Sequence, residues 1–483
     1  MSEKILYPHA SKEVLERARF ERTSFYEHCS CHGPIKLVSG NRSKPYLNAL
    51  SPGCKTCVEG KWLCVYISTR CVQGCFYCPK SQNGNDSDLP RTPEKFSFGS
   101  VDDYVAYLGG FDFEGVGFSG GEPFLAYEKL VKYIENTRRA FGLRHYLWAY
   151  TSGKHVTPEN LAALRRAGLN ELRFHIAANG YDLTSVALAI KEIGRVSIEI
   201  PVIPEDKQIV MEKLAQFEEL GVSHLNLHQL CMTEANYEAL SKRNYTIAHT
   251  DYFPNFFPVL ESELAAFDIM RYASDKTFKM GINYCSRLYK SIFQLNGARR
   301  RAASVSRSKL ESVTATGYLR RMSIQCTPGE FDKHRAILRQ EPVSEYSVKQ
   351  DGEKYDIAFS IDCLGKLITN DLFPEISVTY WEAVVMKKED DPLEEKQTLT
   401  YGRRSFRLGK WKVIQRELMN DTAIIMFHKL FIENRSAEET AVEISSMLDI
   451  PCAYREQILT DITDFYRQFE RLEFAQTNLP DYG

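Results

Sequence analysis

The chain has 483 residues, a formal net charge of −2, and 43% hydrophobic and 26% charged residues. This length predicts two to four structural units, and the composition is typical of a globular protein with ample core material. The near-neutral charge argues against a general nucleic-acid partner. No apolar run approaches the roughly 20 residues that a membrane helix needs, and the first residues lack the apolar core of a signal peptide. We therefore expect a cytoplasmic protein without a membrane partner.

The first half of the chain predicts an α/β fold. Residues 1–60 form a cysteine-bearing N-terminal extension that starts with a helix-like stretch. From residue 61 to 231, short β-rich runs alternate with amphipathic helical runs, which is typical of βαβ units. The predicted strands lie at 63–68, 115–120, 145–153, 171–177, 197–203 and 224–230, and the predicted helices at 127–141, 158–167, 181–193 and 207–220. Six such repeats favour a partial (β/α)6 barrel, whose chemistry sits at the C-terminal ends of the strands.

The alternation ends after Cys231. Residues 232–400 are expected to cover the barrel and form a substrate channel, with strand-like runs at 355–369, 376–386 and 397–416. The charged stretch 387–396 is the best candidate for a boundary loop. Residues 401–483 predict a small α+β C-terminal domain, which is helical in pattern from 420 to 475.

The cysteines are concentrated near the N-terminus: eight of the 13 lie between Cys29 and Cys78. In a reducing compartment such crowding favours metal or catalytic roles over disulfides. Cys71, Cys75 and Cys78 follow a predicted strand in the segment CVQGCFYC. Three thiolates on one short loop can hold three irons of a cubane and leave the fourth open to a small ligand. A zinc site or a chance pattern is the alternative.

A second motif favours the cubane. Ser119, Gly120, Gly121, Glu122 and Pro123 end the next predicted strand, about forty residues on. Together the two motifs resemble those of the radical S-adenosylmethionine (SAM) enzymes, over roughly residues 60–230. The resemblance implies a [4Fe–4S] cluster on Cys71, Cys75 and Cys78, with SAM on the open iron. It also implies that the backbone of the GGE motif and the Glu122 side chain bind the methionyl ammonium.

Further SAM contacts are expected at the ends of the third and fourth strands. The resemblance implies contacts with ribose and carboxylate at four residues there, which are Tyr150, Thr151, Ser152 and His175. The alternative is that these are ordinary polar residues at strand ends. The fifth strand, SIEIPVIP, is expected to supply an apolar wall beside the adenine.

The other cysteines near the N-terminus suggest a second metal site. Cys29, Cys31, Cys54 and Cys57 form two tight pairs, whose spacing suits zinc or an Fe–S cluster equally. Their alternative role is that of small buried hydrophobic residues. The segment from Gly53 to Pro79, together with NYCSRLYKSIFQ, resembles radical SAM proteins related to the glycyl-radical activases. The SPASM-type maturases are not matched, because a late cysteine-rich block is lacking.

The C-terminal pattern of two strands and three helices resembles the PqqD-like winged-helix module. This module holds the leader of a ribosomally made precursor peptide by adding it as a strand at a sheet edge. The resemblance implies a precursor peptide as partner. A generic helical cap or a dimerisation unit remains the alternative.

The whole layout resembles the proteusin-type radical SAM peptide epimerases. These convert L-residues to D-residues by removing the Cα hydrogen and returning hydrogen from the opposite face. The returned hydrogen needs a thiol donor, for which Cys363 is the first candidate, Cys285 the second and Cys326 the third. A reductant such as flavodoxin or ferredoxin is also expected.

Three other functions stay open. The first is radical peptide crosslinking or another C–H modification. The second is modification of tRNA or another nucleic acid, with Arg299–Arg301 gripping phosphate. The third is a degenerate barrel that only binds peptide, which the intact motifs around Cys71 and Gly120 disfavour.

Overall fold

The computed structural model describes residues 10–32, 35–38, 41–79, 89–93, 96–247, 257–290, 294–340, 345–386 and 393–470. The side chains at 29–32, 41–43, 351 and 452 are outside this description. The chain forms two compact units, divided between Leu295 and Asn296. No helix in the described ranges has the length and apolar character required to span a membrane.

The strands of the first unit form one large sheet and one small ribbon. They are β1 Ile35–Val38, β2 Asn41–Leu47, β3 Trp62–Ser68, β4 Gly115–Gly120, β5 Tyr146–Thr151, β6 Glu171–Phe174, β7 Val196–Pro201, β8 His224–His228, β9 Cys231–Met232, β10 Phe257–Pro258 and β11 Gly281–Cys285. The helices are α1 Lys12–His32, α2 Pro52–Val58, α3 Val101–Gly110, α4 Tyr127–Phe141, α5 Pro158–Ala167, α6 Thr184–Glu192, α7 Lys207–Leu220, α8 Tyr237–Ser241, α9 Leu260–Asp275 and α10 Arg287–Tyr289.

The large sheet is mostly parallel, with the order β1-β2-β11-β8-β7-β6-β5-β4-β3. Strands β3 to β8 follow one another in sequence and in space, each parallel to the next. They are the six strands that the sequence predicts, and the arrangement is consistent with a partial barrel. The structure adds β11 as a seventh parallel strand next to β8, and the antiparallel hairpin β1–β2 beyond it.

Strands β6, β7 and β8 alternate between buried apolar and buried polar side chains. Because successive side chains of a strand point to opposite sides, Leu172 and Ile198 lie on one face and Arg173 and Glu199 on the other. Glu199 thus lies on a polar face of the sheet. The fifth predicted strand therefore does not supply a purely apolar wall.

Arg173 connects the polar residues of that face. Its guanidinium donates to Glu171 at 2.9 Å, to Glu199 at 2.8 Å and to the hydroxyl of Ser51 at 2.9 Å. Burial alone would raise the pKa of Glu199, but the neighbouring His228, Arg173 and Lys290 lower it to about 2. Both carboxylates and the guanidinium are almost fully buried, so each charge depends on the others.

The second unit is an antiparallel sheet with helices. Its strands are β12 Glu311–Val313, β13 Leu319–Cys326, β14 Tyr346–Asp351, β15 Lys354–Phe359, β16 Ile376–Val385, β17 Glu395–Tyr401 and β18 Arg404–Leu418, in the order β14-β15-β13-β16-β18-β17 with β12 beside β13. Its helices are α11 Leu295–Ser306, α12 Pro328–Leu338, α13 Leu364–Thr369, α14 Asp421–Phe431, α15 Ala437–Met447 and α16 Arg455–Glu470.

The second unit corrects three predictions. Residues 364–369 form α13 and not the end of a strand, because Leu364 and Leu367 use helical spacing to reach the core. The predicted division at 400/401 falls inside β17, whose partner β18 also pairs with β16. Two strands and three helices do follow residue 394, but within a larger unit that begins at Asn296. Residues 387–392 lie outside the described ranges.

Replacing Arg173 tests the polar network. Arg173→Leu leaves the carboxylates of Glu171 and Glu199 buried without their cation, so we expect a loss of about 3–5 kcal/mol in the free energy of unfolding. Arg165 is the matched control, since its side chain is 61% exposed and pairs with Glu192. Arg165→Leu should cost less than about 1 kcal/mol. Urea unfolding measures both, and equal losses would contradict a structural role for the network.

Candidate functional site

The predicted cluster loop lies at the C-terminal edge of the parallel sheet. Cys71, Cys75 and Cys78 follow β3 directly, and all three are free, half-buried thiols. A single backbone hydrogen bond, from the Cys78 N–H to the Cys75 carbonyl at 3.1 Å, tightens the second half of the loop. Tyr77 is 7% exposed and packs against Leu230 and its neighbours. The loop is therefore anchored by the aromatic residue between its cysteines.

The three thiols suit a cluster better than a single ion. Among the described residues, no three His, Cys, Asp or Glu side chains converge on one position that an ion could occupy. A cubane does not require such convergence, because each thiolate binds a different iron. The donor set of three free thiols on one loop is the set that a [4Fe–4S] cluster with an open iron requires.

The glycines of the GGE motif are needed by the loop itself. A Cβ on Gly120 would lie 2.1 Å from the Ser68 carbonyl oxygen, and one on Gly121 would lie 2.2 Å from that of Arg70. Gly120 also has a φ of +129°, which other residues rarely adopt. The backbone N–H groups of Gly121 and Glu122 donate to these same two carbonyls. The sequence predicted close approach to a ligand; the structure shows close approach to the cysteine loop.

Glu122 is the acidic residue at this junction. It is 2% exposed, and its carboxylate accepts hydrogen bonds from the backbone N–H of Ser152 at 2.8 Å, the hydroxyl of Ser152 at 2.7 Å and the N–H of Phe124 at 3.2 Å. A carboxylate has about four acceptor positions, so one remains available. The end of β5 therefore fixes the orientation of the carboxylate without saturating it.

Gln73 is a residue that sequence reasoning missed. It lies between Cys71 and Cys75, and its amide nitrogen donates to the Ser152 hydroxyl at 2.8 Å. Its amide oxygen is buried and has no partner among the described residues. Buried acceptors normally have a donor. An ammonium group placed beside Glu122 and Gln73 would supply one, so these residues fit the methionyl end of SAM. In the sequence, the position of Gln73 between two cluster cysteines is the signal that could have identified it.

His175 lies at the end of β6, next to the cluster loop. Its Nε2 is 2.8 Å from the hydroxyl of Tyr77, and the two rings stack at 5.6 Å. Burial lowers the pKa of His175 to about 4, so the imidazole is neutral at neutral pH. It can therefore accept or donate a hydrogen bond without adding positive charge near the cysteines.

The other predicted SAM contacts divide into two groups. Ser119 and Pro123 flank the glycines, and the Thr151 hydroxyl accepts a hydrogen bond from the Gly153 N–H at 3.1 Å, so these lie at the strand ends as predicted. The hydroxyl of Tyr150 instead accepts from the Trp148 indole at 3.0 Å and lies 3.4 Å from Arg173. Tyr150 therefore belongs to the polar network.

The second metal site stays a prediction, because the structure describes the side chains of only one of its two cysteine pairs. Cys29 and Cys31 lie on α1, but their side chains are outside the described part of the chain. Cys54 and Cys57 lie on α2, close to polar side chains: the Cys57 sulfur accepts from Gln294 at 3.2 Å, and the Cys54 sulfur lies 3.6 Å from the Asn226 amide oxygen. Burial raises the pKa of Cys54 to about 11. As it stands, Cys54 is a neutral buried thiol.

The three candidate hydrogen donors lie in different places. Cys363 and Cys326 are 2% and 4% exposed in the hydrophobic core of the second unit, among side chains such as Ile324 and Phe359. Apolar packing explains both, and we do not propose either as a donor. Cys285 lies in the first unit at the C-terminal end of β11, opposite His228 of β8. Cys285 thus lies at the C-terminal ends of the parallel strands, as the cluster loop does.

The arginine run is occupied by protein contacts. Arg299 donates to the carbonyl of Thr316 at 3.0 Å and lies over the Tyr318 ring, and Arg300 donates to the carbonyl of Ala315 at 2.8 Å. These guanidinium groups stabilise the turn before β13. The structure therefore gives no support to phosphate binding by this run.

A glycine substitution tests the junction between the two loops. Gly121→Ala places a methyl group against the carbonyls of Thr69 and Arg70, so we expect the cysteine loop to shift and the iron bound after anaerobic reconstitution to fall several-fold. Gly194→Ala is the control, because an added Cβ there meets nothing within 4 Å. Iron and sulfide analysis of both variants measures the effect. Full iron content in Gly121→Ala would refute the proposal that cluster binding depends on the close contact between the two loops.

Two comparisons relate this geometry to known proteins. The family model of the radical SAM superfamily matches residues 65–250 of this chain. A curated protein of Methanocaldococcus jannaschii, provisionally named a glycyl-radical enzyme activating enzyme, is 30% identical over 311 residues, which cover 62% of this chain and 80% of that protein. This similarity is to an activating enzyme and not to a peptide epimerase.

A solved structure is also similar. It is that of the radical SAM methyltransferase TsrM from Kitasatospora setae with tryptophan and a SAM analogue, with 12% identity, a TM-score of 0.31, and coverage of 46% of this chain and 53% of that one. A likeness this low supports no argument about fold or function. The match at 65–250 and the M. jannaschii relative, by contrast, show the family: the chain belongs to the radical SAM superfamily.

Proposed function

We propose that this enzyme removes a Cα hydrogen atom from a residue in a polypeptide substrate. Cys71, Cys75 and Cys78 would hold a [4Fe–4S] cluster, which would supply the electron for the reductive cleavage of bound SAM. The observation that carries the proposal is the joined pair of loops, in which Gly121 and Glu122 are hydrogen-bonded to Ser68 and Arg70 beside the three thiols.

The proposal of a polypeptide substrate is supported by what two kinds of radical SAM enzyme share, the glycyl-radical activating enzymes and the peptide epimerases. A glycyl-radical activating enzyme, the provisional name of the M. jannaschii relative, takes a Cα hydrogen from a glycine of a protein. A peptide epimerase takes a Cα hydrogen from a residue of a peptide. Both reactions bring a Cα–H bond of a polypeptide to the site, and both form a Cα radical.

The residues around the loop have separate roles in this proposal. Glu122, held by Ser152, and Gln73 receive the ammonium of SAM and fix its methionyl end. Tyr77 packs against Leu230, and neutral His175 stacks on Tyr77, so the two rings shield one side of the loop from water. Excluding water protects a reactive radical from side reactions.

The fate of the Cα radical separates the two subtypes. Activation leaves the radical on the polypeptide, whereas epimerisation needs a thiol to return hydrogen. Cys285, the second candidate for the hydrogen-donating thiol, supports epimerisation because it lies at the C-terminal ends of the parallel strands, as the cluster loop does. Radical crosslinking, which removes two hydrogens from the peptide, is distinguished by product mass.

We propose that the polypeptide binds to the second unit. Strand β17 forms one edge of its sheet and is largely exposed, and Tyr401 and Trp411 are exposed apolar side chains on β17 and β18. An extended peptide can add to such an edge by backbone hydrogen bonds. The peptide partner, its leader and a flavodoxin or ferredoxin reductant are all part of this proposal.

The cluster assignment is tested by replacing its three ligands. Without the thiolates no iron is held, so Cys71→Ala/Cys75→Ala/Cys78→Ala should produce no 5′-deoxyadenosine above background with dithionite and SAM. Cys64→Ala and Cys231→Ala are matched controls, since both are half-buried thiols of the same unit outside the loop. Chromatography of anaerobic reactions measures the product. Normal production by the triple variant would overturn the assignment.

The substrate proposal is tested with polypeptides encoded beside this protein. We expect at least one of them to raise 5′-deoxyadenosine formation, in anaerobic reactions run in deuterated water. A persistent glycyl signal in electron paramagnetic resonance indicates activation. D-residues after hydrolysis, with a gain of about one mass unit for each, indicate epimerisation because donor thiols exchange with solvent. No stimulation by any such polypeptide would contradict the proposal.

A further inference from the structure

Lys44 is a buried cation with an unusual neighbour. It lies on β2, is 1% exposed, and places its ammonium 4.5 Å from the centre of the Tyr289 ring. Within the described residues its polar contacts are the amide oxygen of Asn283 at 2.9 Å and the sulfur of Cys285 at 2.7 Å. Buried lysines are normally paired with a carboxylate. Lys410 shows that arrangement here, with Glu311 at 2.8 Å.

The separation between Lys44 and Cys285 is short for a hydrogen bond to sulfur. Sulfur is larger than oxygen, so its hydrogen bonds are longer than the 2.7–3.2 Å that is usual for N–H to oxygen. Nearby contacts follow this rule: Gln294 meets the Cys57 sulfur at 3.2 Å, and Asn283 meets that of Cys54 at 3.9 Å. The 2.7 Å between the Lys44 nitrogen and the Cys285 sulfur is similar to the separation of two atoms that are both bonded to one oxygen.

The pairing of β2 with β11 brings the segments that carry Lys44 and Cys285 side by side. Strand β2 runs antiparallel to β11, with Leu47 opposite Ile282 and Tyr46 opposite Asn283. Continuing the same register by two residues brings Lys44 opposite Cys285. Residues opposite each other in antiparallel strands have Cβ atoms about 4.5–5.5 Å apart. The extended register agrees with the observed contact, in which the Lys44 nitrogen lies 2.7 Å from the Cys285 sulfur.

We propose that Lys44 and Cys285 form an oxygen-bridged N–O–S crosslink when the protein meets dioxygen. One amine, one thiol and one O2 give the bridge and one water. The nitrogen and the sulfur each lose two electrons. The four electrons reduce O2, of which one atom stays in the bridge and the other leaves as water with the two remaining protons. Two dithiols reverse the reaction, returning the amine, the thiol and water.

The bridge ties the antiparallel hairpin to β11, two residues beyond the pair formed by Tyr46 and Asn283. It also removes the Cys285 thiol from any chemistry at the sheet edge. The pair thus acts as an oxygen-responsive staple, independent of which substrate the enzyme uses. Thiol oxidation that a reductant reverses is the class of cysteine chemistry to which such a switch belongs.

Peptide mapping tests the crosslink in the intact chain. Protein purified without oxygen is divided, and one half is exposed to air before digestion with trypsin. We expect the air-exposed half to contain the Lys44 peptide joined to the Cys285 peptide, heavier than their sum by about 14 Da, which is one oxygen gained and two hydrogens lost. Dithiothreitol should separate the two peptides, and the anaerobic half should contain them unlinked.

Two variants assign the atoms. Lys44→Arg keeps the buried cation but lacks the primary amine, so the joined peptide should be lost. Cys54→Ala removes a neighbouring thiol and should retain it. The proposal is overturned if air leaves Cys285 unmodified or converts it to a sulfinic acid. It is equally overturned by a disulfide with Cys54 or Cys57, or by a direct nitrogen–sulfur link that lacks the oxygen. The wild-type result needs no variant to fold.

Discussion

Two backbone hydrogen bonds join the loop after β3 to the loop after β4, and the candidate site depends on them. The N–H groups of Gly121 and Glu122 donate to the carbonyls of Ser68 and Arg70. Because side chains at 120 and 121 would collide with these carbonyls, the contact is available to glycine alone. It fixes where the three thiols lie relative to the carboxylate of Glu122, and so where a cluster and the ammonium of SAM can meet.

The sheet that carries these loops has an unusually polar inner network. Arg173, Glu171 and Glu199 lie in adjacent strands and are buried together. Removing a charge from water is costly, so such a group is stable only while its partners remain. The network links β6 to β7 through Glu199 and to α2 through Ser51. It therefore ties the strand ends that hold His175 to the N-terminal segment that holds Cys54.

The family and the specific reaction rest on different kinds of evidence. Membership of the radical SAM superfamily follows from the match at 65–250 and from the M. jannaschii relative. The polypeptide substrate is a proposal, supported by Cys285 at the end of β11 and by the exposed strand β17. The site thus constrains the radical chemistry more tightly than it constrains the polypeptide that undergoes it.

The sequence by itself determined the parallel strands, their helices and the two motifs. The helices at 127–141, 158–167 and 207–220 were predicted at the residues where they occur, because apolar side chains at helical spacing and a glycine after the last turn are local signals. The spacing of Cys71, Cys75 and Cys78 is local in the same way. Local apolar patterns failed at 364–369, where a short buried helix resembles a strand in composition.

Only the tertiary structure decided which distant residues meet. Gln73 contacts Ser152, 79 residues on, and Lys44 contacts Cys285 across 241 residues. Cys363, the first candidate donor, lies buried in the hydrophobic core of the second unit. The boundary at Leu295 was likewise not visible in the composition. Such contacts are set by the register of strands and by packing, which no periodicity within a short segment encodes, because each depends on how far-apart segments pair.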